Sequence, residues 1–203
     1  MRELLVATRN KKKLEEIRDL LKDMEFRITS LDDYPDMPEI VEDGDSFQAN
    51  AIKKAATIAI YTKKLTMGED SGLEVEALNN QPGIYSARFS GPQATDPKNN
   101  AKLLRLLKEV PMKNRQARYR CFVALVDGNG GRSIELVSGS CSGLIGVKQQ
   151  GRNGFGYDPL FVIPKYGKTF GELPASVKAK ISHRSRALKK FKKIIKKYSR
   201  SLP

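Results

Sequence analysis

Apolar and polar positions follow two rhythms along the chain. "LLVA" (residues 4–7) is a compact apolar run, and Leu14, Ile17, Leu20 and Leu21 then recur at helical spacing. Residues 3–8 therefore predict a strand, and 11–22 a helix with one apolar stripe. "FRITSL" (26–31) reads as a second strand, ahead of a loop rich in proline and acid. Asp45 and Gln48 form a capping-box pattern that opens an alanine-rich helix reaching about Lys64. "TMGED" (66–70) reads as a short strand, "SG" (71–72) as a turn, and "LEVEAL" (73–78) as another strand; residues 79–94 read as an irregular loop. "TDPKNNAKLLRLLKEV" (95–110) predicts a helix with Pro97 at its first position and Pro111 past its end. Two alternating stretches, 116–127 and 132–145, are joined by "GNGG", a hairpin signal. A glycine-rich loop, the strand "PLFVI" (159–163) and two basic helical segments complete the pattern. Strand–helix alternation from the first residues predicts an α/β fold. With no internal repeat and no low-complexity linker, residues 1–203 read as one domain, long enough to bury a substantial core.

Charge changes this picture only locally. The formal net charge is +14, which points to an anionic partner. No acid follows Glu172, however, while eleven lysines and arginines lie between Lys178 and Arg200, so residues 1–177 carry a balance of only +3. In that basic segment Leu188, Phe191, Ile194, Ile195 and Tyr198 recur at helical spacing, leaving the lysines on the opposite face. The pattern predicts a docked helix with a solvated basic face; nucleic-acid binding through that face is the alternative. No apolar run approaches membrane-span length, and the immediate strand pattern leaves no visible signal peptide. Cys121 and Cys141 fall in strand patterns without metal-type spacing, as reduced core thiols of a cytoplasmic protein do.

Four stretches carry candidate chemistry. In "ATRNKKKLEE", Lys11, Lys12 and Lys13 crowd the start of a helix, where a cation costs about 0.3–1 kcal/mol. Either the helix begins later, or an anion sits there. Free amides at a helix start favour an anion, and Thr8, Asn10 and Lys13 add donors suited to a polyphosphate. The spacing is not that of a Walker P-loop, and a plain asparagine cap followed by surface lysines is the simpler alternative. The acidic clusters "EIVEDGD" (39–45) and "GEDSG" (68–72) form the second group. Carboxylates from two separated segments, with positions left for water and phosphate oxygens, suit Mg²⁺. The first cluster is equally well explained by a helix dipole and cap. Glu69 and Asp70 are strand neighbours facing opposite sides, so only one of them easily lines a given cleft. Third, "GRNGFGYDPLF" (151–161) interleaves glycines with Phe155 and Tyr157, permitting close backbone approach to a flat ligand or ordinary inward packing. Fourth, "KAKISHRSRAL" holds the only histidine, His183. A single imidazole argues against a zinc hydrolase.

In this order, "ATRNKKKLEE", "EDGDSFQANAIKKA", "EDSGLEVEAL", "PGIYSARFSG", "GFGYDPLF" and "KISHRSRAL" resemble the inosine triphosphate pyrophosphatase family, which removes non-standard purine nucleotides, and they span nearly the whole chain. The resemblance implies Mg²⁺-assisted hydrolysis of ITP, dITP and XTP to the monophosphate and pyrophosphate. It also implies an elongated mixed sheet, two lobes around an active-site cleft, and a homodimer. It assigns the triphosphate to Thr8, Asn10 and Lys13, with Arg9, Lys11 and Lys12 in the same loop. It makes Asp70 metal ligand and base for the attacking water, with Glu42 and Glu69 as further metal positions. Ser71 would touch substrate, Phe155, Gly156, Tyr157 and Asp158 with His183 and Arg184 would form the base pocket, and Lys178 would reach phosphate. Neither a nucleic-acid nor a membrane partner is implied. Arg9 departs from the pattern, since a small residue is common there, and Asn153 stands where glycine is common. A pyrophosphatase for modified pyrimidine or methylated nucleotides is the alternative enzyme.

Overall fold

The computed structural model describes residues 2–37, 40–129 and 134–199. Among the described residues, seven strands form one mixed sheet: β1 (Arg2–Val6), β2 (Phe26–Ser30), β3 (Leu65–Val75), β4 (Gln116–Asp127), β5 (Ile134–Ile145), β6 (Phe161–Ile163) and β7 (Lys168–Thr169). Their order is β2-β1-β3-β4-β5-β6-β7. β1 runs parallel to both β2 and β3, whereas β6 is antiparallel to β5 and to β7. The described residues also form five α-helices: α1 (Lys11–Leu21), α2 (Phe47–Thr62), α3 (Asp96–Leu106), α4 (Ala175–Ile181) and α5 (His183–Ser199).

The chain forms two compact units. Unit 1 comprises residues 1–70, 121–139 and 184–203; unit 2 comprises 71–120 and 140–183. β3, β4 and β5 are long enough to supply residues to both.

In unit 1, Leu14, Ile17 and Leu21 of α1 pack with Leu4, Val6, Met67 and Val123 from the strands and with Leu188, Phe191 and Ile195 of α5. The apolar stripe of the basic C-terminal segment is thus docked as its spacing predicts. α2 lies against the strands unusually closely. A Cβ on Gly68 would come within 2.2 Å of the Ala51 carbonyl and 2.6 Å of the Ala55 nitrogen, and one on Gly128 within 2.2 Å of the Ala59 carbonyl. The alanine repeat of α2 and these two glycines are one feature: small residues on both sides set the helix–sheet distance.

Unit 2 has its own core of Leu73, Val75, Leu103, Leu107, Tyr119, Phe161 and Phe170. Buried Arg115 closes the carboxyl end of α3, donating to the Leu107 and Val110 carbonyls at 2.6 and 2.9 Å and to the Gly146 carbonyl at 3.1 Å.

Several predicted boundaries shift. Residues 66–78 are not two strands about a Ser71-Gly72 turn. β3 runs unbroken to Val75 because it lies beside β4, and the Leu73 N–H is taken by Ser86 Oγ at 2.8 Å. The capping pair Asp45/Gln48 is replaced by Ser46, whose hydroxyl accepts from the Ala49 N–H, and α2 stops at Thr62 with Lys63 in the left-handed region. α3 begins at Asp96, capped by Thr95, with Pro97 one position later than predicted. Residues 79–94 include a 3-10 segment, Gly83–Arg88. Gly130 and Gly131 of the hairpin turn, Glu39 of the first acidic cluster and Arg200 lie outside the described residues.

At the start of β1, Glu3 accepts from Lys64 Nζ and Thr29 Oγ1, both at 2.7 Å, and from the Tyr34 hydroxyl. Burial alone would raise this carboxyl, but these hydrogen bonds outweigh it and bring it down to about 2. Its proton is held less tightly in the folded chain than in the unfolded one. Its stabilisation is therefore complete above the ordinary value of 4.5 and is lost as pH falls towards 2. Glu3→Gln is expected to cost about 1 kcal/mol at neutral pH. In urea titrations across pH, that deficit should shrink between pH 4.5 and 2.

Candidate active site

The turn after β1 builds the first element of the site. Thr8 Oγ1 accepts from the Asn10 N–H, and Asn10 Oδ1 accepts from the Lys13 N–H, both at 3.1 Å. Asn10 is the helix cap, and α1 starts at Lys11 with no acid in its first turn. The helix does not begin later: the three lysines do occupy its positive end. Lys11 and Lys12 are exposed, whereas Arg9 lies 3.6 Å from Asp32 and Lys13 3.6 Å from Glu69.

β3 presents the acids. Glu69 and Asp70 are 4% and 6% exposed, and they accept hydrogen bonds from different cations. Glu69 receives two hydrogen bonds of 3.1 Å from the Arg184 guanidinium, which also donates to Glu16. Asp70 receives Lys54 Nζ at 2.8 Å and Asn50 Nδ2 at 3.4 Å, and the same ammonium lies 3.2 Å from Glu42. Burial pushes the Asp70 carboxyl above the ordinary carboxylate range, against the opposing pull of Lys54 and Lys13. Burial also works against the Lys54 charge, but Asp70, Glu42 and Glu69 outweigh it and raise the ammonium. Burial and the lysine charges thus pull Asp70 in opposite directions, and burial prevails.

Asp70 and Glu42 converge on one cation, so they are the pair with the geometry to share another. Glu69 is turned to Arg184. Among the described residues, no group of three or more histidine, cysteine, aspartate or glutamate side chains is arranged around a metal position.

Unit 2 holds the aromatic–glycine loop. Gly154 and Gly156 have positive φ, and a Cβ at Gly154 would fall 2.0 Å from Asp158 Oδ2. That oxygen accepts from the Phe155 N–H at 2.9 Å and from Lys178 Nζ at 2.6 Å. The Lys178 ammonium also stands 4.6 Å from the centre of the Phe155 ring. Gly156 is pinned from both sides, its N–H donating to Asp96 at 2.8 Å and its carbonyl accepting from Asn100 at 3.0 Å. Tyr157 is buried, its hydroxyl donating to the Ser86 carbonyl at 2.8 Å, and burial raises its pKa. His183 is buried and stacked 4.6 Å from Tyr119. An open hollow of about 740 Å³ beside Pro82, Tyr85, Arg88, Phe89 and Lys102 is lined by none of the predicted site residues.

The structure thus gathers Thr8, Asn10, Lys13, Glu42, Glu69, Asp70 and Arg184 in unit 1, and Phe155, Gly156, Tyr157, Asp158, Lys178 and His183 in unit 2, where Ser71 also lies. Arg184 pairs with Glu16 and Glu69 of unit 1. Lys178 pairs with Asp158. Sequence reasoning missed Lys54, Asn50 and Glu16. A signal existed for the first two: they share the apolar stripe of α2 with Ala51, Ala55 and Ile58, and a buried polar group there needs a partner.

Residues 4–194 match the model of the Ham1 family. A dITP/XTP pyrophosphatase of Desulforamulus reducens is 48% identical over 192 residues, covering 95% of this chain and 94% of the relative. One from Shouchella clausii is 47% identical over 195 residues, covering 96% and 97%. Among solved structures, a HAM1 protein of Coxiella burnetii superposes with a TM-score of 0.88 at 35% identity, covering 97% of this chain and all of that one. A Ham1 protein of Staphylococcus aureus gives 0.86 at 32% identity with the same coverage.

Removing Lys178 while leaving Asp158 strands a buried carboxylate. Lys178→Met is expected to lose about 3 kcal/mol or more in urea unfolding, whereas removing both charges as Lys178→Met/Asp158→Leu should cost less than the single change.

Proposed function

This chain is a member of the Ham1 family, and we propose that it hydrolyses non-standard purine nucleoside triphosphates, ITP, dITP and XTP, to the monophosphate and pyrophosphate. Beyond the family, one observation supports this reading: a buried, basic carboxylate, Asp70, set against Lys54 in the same unit as a helix start crowded with lysines.

A triphosphate brings its own negative charge, and most of the catalytic task is neutralising it and aiming a water at the α-phosphorus. In this reading Thr8, Asn10 and the α1 amides take phosphate oxygens, and Lys13 leaves Glu69 for the polyphosphate, with Arg9, Lys11 and Lys12 adding positive potential. Asp70 accepts the proton of the attacking water, helped by a basicity above that of an exposed aspartate. Lys54 and Asn50 hold the Asp70 carboxylate in place. Mg²⁺ would be held by Asp70 and Glu42, which already meet at one cation, and would neutralise charge on the phosphates when bound. Glu69 then serves as anchor for Arg184 rather than as metal ligand.

Phe155 to Asp158 and His183 take the base in this proposal, with Ser71 touching substrate. Donors aimed at the purine 6-oxo group reject adenine, whose amino group would leave them unpaired. Buried free thiols at Cys121 and Cys141 are in keeping with a cytoplasmic protein. No helix among the described residues is long and apolar enough to cross a membrane. The homodimer implied by the resemblance completes the proposal.

Incubation with ITP and Mg²⁺ should release pyrophosphate and IMP; release of orthophosphate would refute the mechanism, and a panel including methylated and pyrimidine nucleotides tests the base preference. Asp70→Asn should cut kcat by about 10²–10⁴-fold with an unchanged circular dichroism spectrum. Lys13→Ala should lower kcat/KM for ITP by about 10²-fold; wild-type kinetics would remove Lys13 from the phosphate site.

A further inference from the structure

Two consecutive asparagines of α3, Asn99 and Asn100, are buried in unit 2. Asparagine is a poor choice inside a helix, because its carboxamide competes for backbone groups. Each of the two directs that carboxamide to the main chain of a different loop. Asn99 holds residues 86–90: it donates to the Ser86 and Ala87 carbonyls at 3.3 and 3.1 Å and accepts from the Ser90 N–H at 2.8 Å. Asn100 donates to the Gly156 carbonyl at 3.0 Å and to Gln149 Oε1 at 3.4 Å.

Asn100 does not act alone. Asp96 lies one turn earlier on the same face of α3, and its carboxylate accepts from the Gly156 N–H at 2.8 Å. An i, i+4 pair therefore grips both main-chain polar groups of one loop residue. For Asp96 there is a simpler explanation, since an acid in the first turn suits the helix dipole. Asn100 has no such explanation. Its carboxamide oxygen is buried without a hydrogen-bond partner among the described residues, and a side chain placed there for packing would not bury an unpaired acceptor. The residue so gripped is Gly156, held at positive φ, and a Cβ built on it would meet nothing within 4 Å. Backbone conformation, not crowding, is what calls for glycine at this point. The flanking residues are fixed too: Asp158 takes the Phe155 N–H, and the Tyr157 hydroxyl donates to the Ser86 carbonyl that Asn99 also holds.

We propose that Asn100 and Asp96 are positioning residues for the purine. By fixing the Gly156 peptide they hold a rigid, flat surface against which the base lies, and so set both base affinity and the preference for inosine over adenosine nucleotides. This rests on the reading of Phe155 to Asp158 as the base-binding loop. With its N–H and carbonyl both engaged, Gly156 presents the ring with no competing donor or acceptor, and discrimination is left to the donors aimed at the 6-oxo group.

The test is calorimetric titration of the full-length protein with IMP, AMP and inorganic triphosphate, alongside ITP kinetics. Asn100→Leu and Asp96→Ala should each weaken IMP binding about tenfold, the equivalent of about one lost hydrogen bond, and narrow the preference for IMP over AMP. Inorganic triphosphate, which has no base, should bind both variants as it binds wild type. In turnover, KM for ITP should rise about tenfold with kcat nearly unchanged. Asp96→Asn keeps an acceptor for the Gly156 N–H and should behave as wild type. Asp96 is exposed, so its two variants decide the matter even where Asn100→Leu fails to fold. The proposal is overturned if wild type binds no IMP, if Asp96→Ala binds IMP as wild type does, if triphosphate binding falls equally, or if Asp96→Asn loses as much as Asp96→Ala. Weakened IMP binding in the variants of a protein that leaves ITP intact would uphold the positioning role and refute only the hydrolase reading.

Discussion

Two adjacent carboxylates buried in one extended strand leave it on opposite faces, and each takes its direct hydrogen bonds from a different cation. Unit 1 is arranged around that constraint. Glu69 needs a cation on one side of β3 and finds Arg184, itself steadied by Glu16; Asp70 needs one on the other side and finds Lys54. Leaving either acid uncompensated would cost several kcal/mol. The start of α5 and the middle of α2 are therefore tied to neighbouring residues of one strand. Glu69 is held in a bidentate grip by Arg184. Asp70, with one ammonium and one amide, is pushed by burial above the ordinary carboxylate range.

The same electrostatics account for the start of α1. Three lysines in a first helical turn are unfavourable in isolation, and Lys13 recovers part of that cost by leaning towards Glu69. A triphosphate offers more negative charge than one shared carboxylate. The resting structure thus holds the lysine in a replaceable contact, while the amides and the Asn10 cap fix the loop that would receive phosphate.

Much of this was legible in the sequence, for identifiable reasons. The apolar stripes of α1 and α5 and the paired strands β4 and β5 follow periodicity, and periodicity reports burial directly. The Ser71-Gly72 turn was misread because local turn propensity was weighed without the neighbouring strand that carries β3 through it. Lys54 on the apolar stripe of α2 signals a buried charge that needs a partner, but only the fold shows that the partner is Asp70. The same holds for Lys178 and Arg184. Each pairs with a buried acid distant in sequence, and no spacing rule reports such a partner.

Gly68 has a consequence of its own. Because a single methyl there would strike the backbone of α2, the distance between helix and strand is set by steric contact rather than by attraction. Lys54 and Asp70 are carried on those two backbones. Their spacing therefore follows from how closely a bare glycine lets the two backbones approach, and burial leaves the pair little screened by dissolved salt.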